Sequence, residues 1–361
     1  MVAVLAAAAL AGTAAAVAQL ARSAGSAGPG RGGRGEAAVA AVGVGVRTCT
    51  LVERTVAPTY DYLTGAPSPT RTLVTAVRYP TRAPGGSGEV ARAGAPPARV
   101  RGGYPAVVFA AGYRLDPSAY ASLLDAWVRT GLVVVAPVFP YTNPVAVAAA
   151  LRVAPTADPE RDLANEPADV AFVAGQVVAG AGGRGGCRLL AGLVDPAALG
   201  LAGQSDGGQA VGMLAYDRND QLVAPPFRAV EVLSGGPNGT DPYVGGPGHP
   251  SLLVVESSRD TCNTPAEAAA LYDGVAIPDK WFLEDHAASH LGPYVGTARR
   301  TAAVVAAMTG RFFDLELRGG APGAVLARLA GTAPGVAVLT HAAVAPTMPW
   351  RGGGGVACYA R

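Results

Sequence analysis

A serine lies between two glycines in Gly203-Gln204-Ser205-Asp206-Gly207. The apolar run Ala198–Ala202 precedes it, and Ala210, Met213 and Leu214 follow at the spacing of one helical face. Strand, sharp turn and helix is the geometry of a nucleophile elbow, in which the glycines relieve crowding where strand and helix nearly touch. The hydroxyl then stands at a helix N-terminus, where backbone N–H groups favour developing negative charge. A hydroxyl attacks only when a base removes its proton, so a histidine is required. The chain has four. His249 precedes a proline before a strand, and His341 lies in a weakly periodic tail. His286 and His290 share "DHAASHLGPY", a loop after the run "KWFLE" and the place where such a fold delivers its base. A buried carboxylate must orient the imidazole, and Asp260 in "SLLVVESSRDTCNTP" falls between serine and histidine, just past a strand. A turn or helix-capping role also fits Asp260, because a helical pattern starts near Pro265. Oxyanion donors are expected from the backbone N–H groups of Asp206 and of Tyr113 in "AVVFAAGYRLD", with ordinary packing or a wall of the acyl site as the alternatives for Tyr113.

The elements that would position these residues alternate. Apolar runs at Leu73–Tyr79, Ala106–Ala110, Leu132–Val138, Ala198–Ala202, Ala229–Leu233, Leu252–Val255 and Trp281–Leu283 read as buried strands. Between them, Ser118–Thr130, Pro167–Ala179, Asp206–Tyr216, Pro265–Tyr272 and Ala298–Phe313 read as helices. That alternation predicts an α/β fold with a mainly parallel central sheet and helices on both faces. Residues 47–317 form the expected catalytic domain, and 318–361 a Gly, Ala and Pro rich C-terminal extension. Residues 1–21 read as a signal peptide or apolar N-terminal segment, with "AVA" at Ala16–Ala18 as a cleavage site, and 22–46 as a flexible linker. These features predict a secreted or extracytoplasmic protein, with a retained membrane anchor as the alternative.

Half of the residues are hydrophobic and 15% are charged, which excludes a disordered chain. A net charge of +2 gives no basic surface for nucleic acid. The four cysteines form no CxxC pair and the histidines lack zinc-ligand spacing, so no metal and no cofactor is expected, and two disulfides are. Cys187 follows a helix that runs antiparallel to the strands, whereas Cys262 sits just past a strand, at the opposite end. A Cys187–Cys262 bond is therefore disfavoured, leaving Cys262 to Cys49 or Cys358.

At these residues the chain resembles the α/β-hydrolase family, in particular cutinase-like polyester hydrolases, dienelactone-hydrolase-like esterases and platelet-activating-factor acetylhydrolase relatives. "TAVRYP", "YPAVVFAAGY", "GLVVVAPVFP", "ADVAFV", "LAGQSDGG", "LLVVESSRDTCNTP" and "FLEDHAASHLGP" carry the resemblance across roughly residues 70–315. It implies the α/β-hydrolase fold and selects His290 over His286. It also implies a serine carboxylic-ester hydrolase of the carboxylesterase, lipase or cutinase kind, acting on a small-molecule or lipid-like ester. Gln204 stands where the family often has histidine, and Asp206 where many relatives are uncharged. "VLSGGPNG" lacks the tryptophan of the polyester-cleaving group, which argues against polyester cleavage. A serine peptidase of the same fold and a catalytically silent binding protein are the alternatives.

Overall fold

The computed structural model describes residues 42–60, 67–84, 90–217, 226–237, 243–246, 248–286 and 288–348. The predicted signal segment, most of the linker and Cys358 lie outside the described residues.

Among the described residues, ten strands form one sheet in the order β10-β9-β8-β7-β6-β4-β5-β2-β1-β3. Their spans are β1 Val42–Tyr60, β2 Pro67–Pro84, β3 Arg92–Ala93, β4 Tyr104–Ala110 and β5 Val133–Val138. They continue with β6 Val194–Gln204, β7 Ala229–Leu233, β8 Ser251–Ser257, β9 Lys280–Asp285 and β10 Ala337–Thr340. From β5 through β4, β6, β7 and β8 to β9 every pairing is parallel. Antiparallel pairs flank this block, β2 with β5, β1 with β2, and β10 with β9. Each of the seven predicted runs falls on a strand, to within one residue at Leu132; six of them are in the parallel block, where a strand covered on both faces reads as continuous apolar sequence.

Alternation along β4 shows how the two faces divide. Ala106, Val108 and Ala110 point into one core, and Val107 and Phe109 into the other. The first core lies under α3 (Glu166–Ala181), α4 (Asp206–Tyr216) and α5 (Pro265–Gly274), through Val170, Val211 and Leu271. The second lies under α1 (Ala121–Arg129), α6 (Arg299–Leu317) and α7 (Gly323–Gly331), through Trp127, Phe312 and Leu326. One helix, α2 (Pro144–Val153), follows the C-terminal end of β5; Asn143 caps it by accepting from Val145 N and Ala146 N. Arg71 on β2 is buried between Asp162 and Asp169, at 2.7 and 2.6 Å, and so anchors the segment after α2 and the start of α3 to the sheet.

Three segments differ from the sequence reading. β1 begins at Val42, inside the stretch read as linker. Its Gly45 is a packing requirement, since a Cβ there would lie 2.5 Å from the Tyr79 ring. The C-terminal stretch supplies α7 and β10, an edge strand of the sheet, and is not merely an extension on its surface. The third is α2 itself, an Ala-rich helix that the strand-and-helix alternation omits.

Cys49 on β1 is bonded to Cys187, with Cα atoms 5.5 Å apart. Cys262 is also disulfide-bonded, and Cys49 is excluded as its partner.

Candidate active site

Parallel strands deliver their following loops to one end of the sheet. β4 ends at Ala110, two residues before Gly112; β6 ends at Gln204, β8 three residues before Asp260, and β9 five before His290. The candidate chemistry converges there.

Ser205 links β6 to α4 with φ 56° and ψ −122°, a region that non-glycine residues rarely occupy. Its backbone is held on both sides, with N–H donating to Leu233 O at 3.0 Å and O accepting from Gln209 N at 2.9 Å. The flanking glycines are sterically required. A Cβ on Gly203 would lie 2.0 Å from Gly207 O, and one on Gly207 would lie 2.2 Å from Ala110 O. The turn therefore closes only with hydrogen at both positions.

Ser205 Oγ lies 2.9 Å from His290 Nε2, and His290 Nδ1 lies 2.7 Å from Asp260 Oδ2. All three residues are buried. Asp260 divides its two oxygens. Oδ1 accepts from Cys262 N at 2.8 Å and Asn263 N at 3.1 Å, and Oδ2 faces the imidazole. The turn role and the orienting position thus coexist in one carboxylate, while Thr264 with Glu267 caps α5 through a capping box. The other histidines are engaged elsewhere. His286 meets Glu284 at 2.9 Å, His249 stacks on Tyr216, and His341 stacks on Trp281. Asp260, Cys262 and His290 bring potential ligand atoms within 4.8 Å of one another, a spacing a metal ion could use, yet Cys262 is disulfide-bonded and has no free thiol to offer.

Gly112 abuts the serine, since a Cβ there would lie 3.0 Å from Ser205 Cβ. The Gly112–Tyr113 backbone therefore runs beside the hydroxyl. Asp206 opens α4, where its N–H has no intrahelical partner by position. Its side chain is 3% exposed and Oδ2 has no hydrogen-bond partner among the described residues. Burial, with a contribution from Glu160, pushes this carboxyl up to about 7, although a helix N-terminus favours the charged form.

No protein-family model matches the chain, and no curated protein does. Among solved structures it is similar to a ferulic acid esterase from Streptomyces cinnamoneus, with a TM-score of 0.59 over 82% of this chain and 96% of that one, at 22% identity. The chain has the α/β-hydrolase fold.

Several residues around the site carry contacts to which the sequence assigns no role. Gln204 and Tyr120 are fully buried beside it and joined by a 2.7 Å hydrogen bond. Ser234, at φ 46°, follows β7, where its carbonyl accepts from Asn263 Nδ2 at 2.7 Å and steadies the Asp260 loop. Glu256 on β8 is fully buried, and burial followed by the charge of Asp260 holds its carboxyl well above the usual range. The one available signal was an acid inside an apolar run, visible in "VVESS" and again in "AVEVL".

Proposed function

We propose that the protein is a serine hydrolase that cleaves carboxylic esters through an acyl-enzyme on Ser205. The observation that carries this reading is the unbroken series Ser205 Oγ, His290 Nε2, His290 Nδ1, Asp260 Oδ2, with contacts of 2.9 and 2.7 Å, mounted on a strained elbow. His290 takes the Ser205 proton as Oγ attacks the ester carbonyl, and Asp260 stabilises the resulting imidazolium. The tetrahedral oxyanion accepts from the N–H groups of Tyr113 and Asp206. His290 then protonates the leaving alcohol, and a water activated by the same imidazole releases the acid. No cofactor is needed for these steps.

The similar solved structure is named for an esterase, which supports the same reaction class here. The substrate class we infer is a small-molecule or lipid-like ester. A disulfide between Cys49 and Cys187 suits an oxidising compartment and supports an extracytoplasmic location. Among the described residues no helix is long and apolar enough to cross a membrane.

A fluorophosphonate probe tests the reading directly. It should label wild-type protein at Ser205, as located by peptide mapping, and leave Ser205→Ala unlabelled. Turnover of p-nitrophenyl esters of increasing acyl length should then define the acyl preference. Absence of both labelling and turnover would favour a silent binding protein of the same fold.

A further inference from the structure

We infer that Tyr120 and Gln204 form a positioning bridge that holds the oxyanion loop and the histidine loop in register, an inference that rests on the Ser205–His290 reading. The bridge is a directional series of hydrogen bonds. Gly112 N–H donates to Tyr120 Oη at 3.1 Å, and Tyr120 O–H donates to Gln204 Oε1 at 2.7 Å. Gln204 Nε2 then lies 3.4 Å from the His290 carbonyl, to which it donates, and 3.3 Å from His290 Nε2. Because Gly112 donates to the phenol oxygen, the hydroxyl hydrogen is directed to Gln204, which turns the amide nitrogen toward His290.

The series has consequences at each end. At the first, the Gly112 N–H is committed to Tyr120 and the Gly112 carbonyl accepts from Leu115 N at 3.1 Å, so the peptides on both sides of Gly112 are held, including the one whose N–H belongs to Tyr113. At the second, an amide N–H faces the same lone pair that accepts the Ser205 hydroxyl. That arrangement suits an imidazole whose hydrogen sits on Nδ1, toward Asp260, and so holds the tautomer the attack requires. Both side chains are fully buried, and the Tyr120 ring packs edge-on against Phe109 at 4.8 Å. The amide fits only because residue 112 is glycine, since a Cβ there would lie 2.7 Å from Gln204 Oε1.

The experiment compares Tyr120→Phe, Gln204→Met and the double variant with wild type and Ser205→Ala. Two rates are measured per folded molecule, the second-order rate of fluorophosphonate labelling and kcat for p-nitrophenyl acetate, together with KM. Each single variant should lower labelling and kcat about tenfold, within what a small misplacement of reacting groups costs, and leave KM within about twofold. The double variant should be no worse than the poorer single one, because either change breaks the same series. Unchanged kcat in both single variants, a loss confined to KM, or losses that multiply in the double variant would overturn the bridge. If Gln204→Met does not fold, Tyr120→Phe, which removes one hydroxyl, still decides. Wild-type protein that neither labels nor turns over ester would instead overturn the hydrolase reading itself, whereas wild-type labelling with unaffected variants rejects the bridge alone.

Discussion

In the proposed mechanism Ser205, His290 and Asp260 have separate roles that no neighbour can take over, and variants should show it. Ser205→Ala and His290→Ala should each lose at least about a thousandfold in kcat, as expected when one member of a concerted set is removed. His286→Ala should keep wild-type turnover, because its ring contacts Glu284 and not the serine. Asp206 needs a different measurement. Its carboxyl is pushed up to about 7, first by burial, so the folded protein retains that proton where the unfolded chain has lost it. The associated stability is present below the unfolded value near 4 and is lost as pH rises toward and through about 7. Asp206→Asn removes the titration. Denaturant unfolding should find it more stable than wild type at pH 8, by roughly 2–4 kcal/mol, and equal to it near pH 4. Its kcat relative to wild type should also climb above pH 7, where wild type acquires a negative charge beside the proposed oxyanion donors.

At the scale of elements, the β6–α4 junction tolerates almost no volume. Gly207→Ala would set a Cβ 2.2 Å from Ala110 O, a clash with backbone that no rotamer relieves. We expect it to cost at least about 3 kcal/mol, or to prevent folding, as judged by thermal melts. Gly175→Ala in the middle of α3 meets nothing within 4 Å and should raise stability by about 0.5–1 kcal/mol. The contrast bears on what the sequence made legible. Parallel strands such as β4 and β8 were readable because burial on both faces leaves an unbroken apolar run. α4 was readable from its first residue because the elbow glycines mark its start. β1 was not, because Gly43 and Gly45 read as flexibility when Gly45 in fact makes room for Tyr79. β10 is four residues at an edge, too short to carry a pattern. α2 was missed although Asn143-Pro144 is a cap followed by a first-turn proline. At the site, an order of serine, acid and histidine along the chain could be read. The Tyr120–Gln204 contact could not, since its partners are 84 residues apart and neither stands out in composition.

For the molecule as a whole, the Cys49–Cys187 bond closes 138 residues and ties the outer antiparallel pair to the segment entering β6. Closing a loop of that length limits the unfolded chain by up to about 5 kcal/mol, although strain often reduces the gain. Replacing both cysteines with serine should lower Tm by several degrees while leaving kcat within about twofold, since among the described residues neither Cys49 nor Cys187 is a side-chain hydrogen-bond partner of Ser205, His290 or Asp260. Loss of turnover at a temperature where the variant is still folded would refute that separation of stability from chemistry.

The placement of Ser205, Asp260 and His290 just after β6, β8 and β9 also sets when the three residues can meet during folding. Ser205 and His290 are 85 residues apart, and the strands that carry them pair only through β7 and β8. Such non-local parallel pairings form slowly, after local hairpins and helices. A chain that has collapsed, or has formed the β1–β2 hairpin and α6, would still hold a serine with no base. The contact between Ser205 and His290 thus forms late on refolding, after the intervening strands have paired. On the proposed mechanism, an intermediate with much of its secondary structure in place would be inert toward esters.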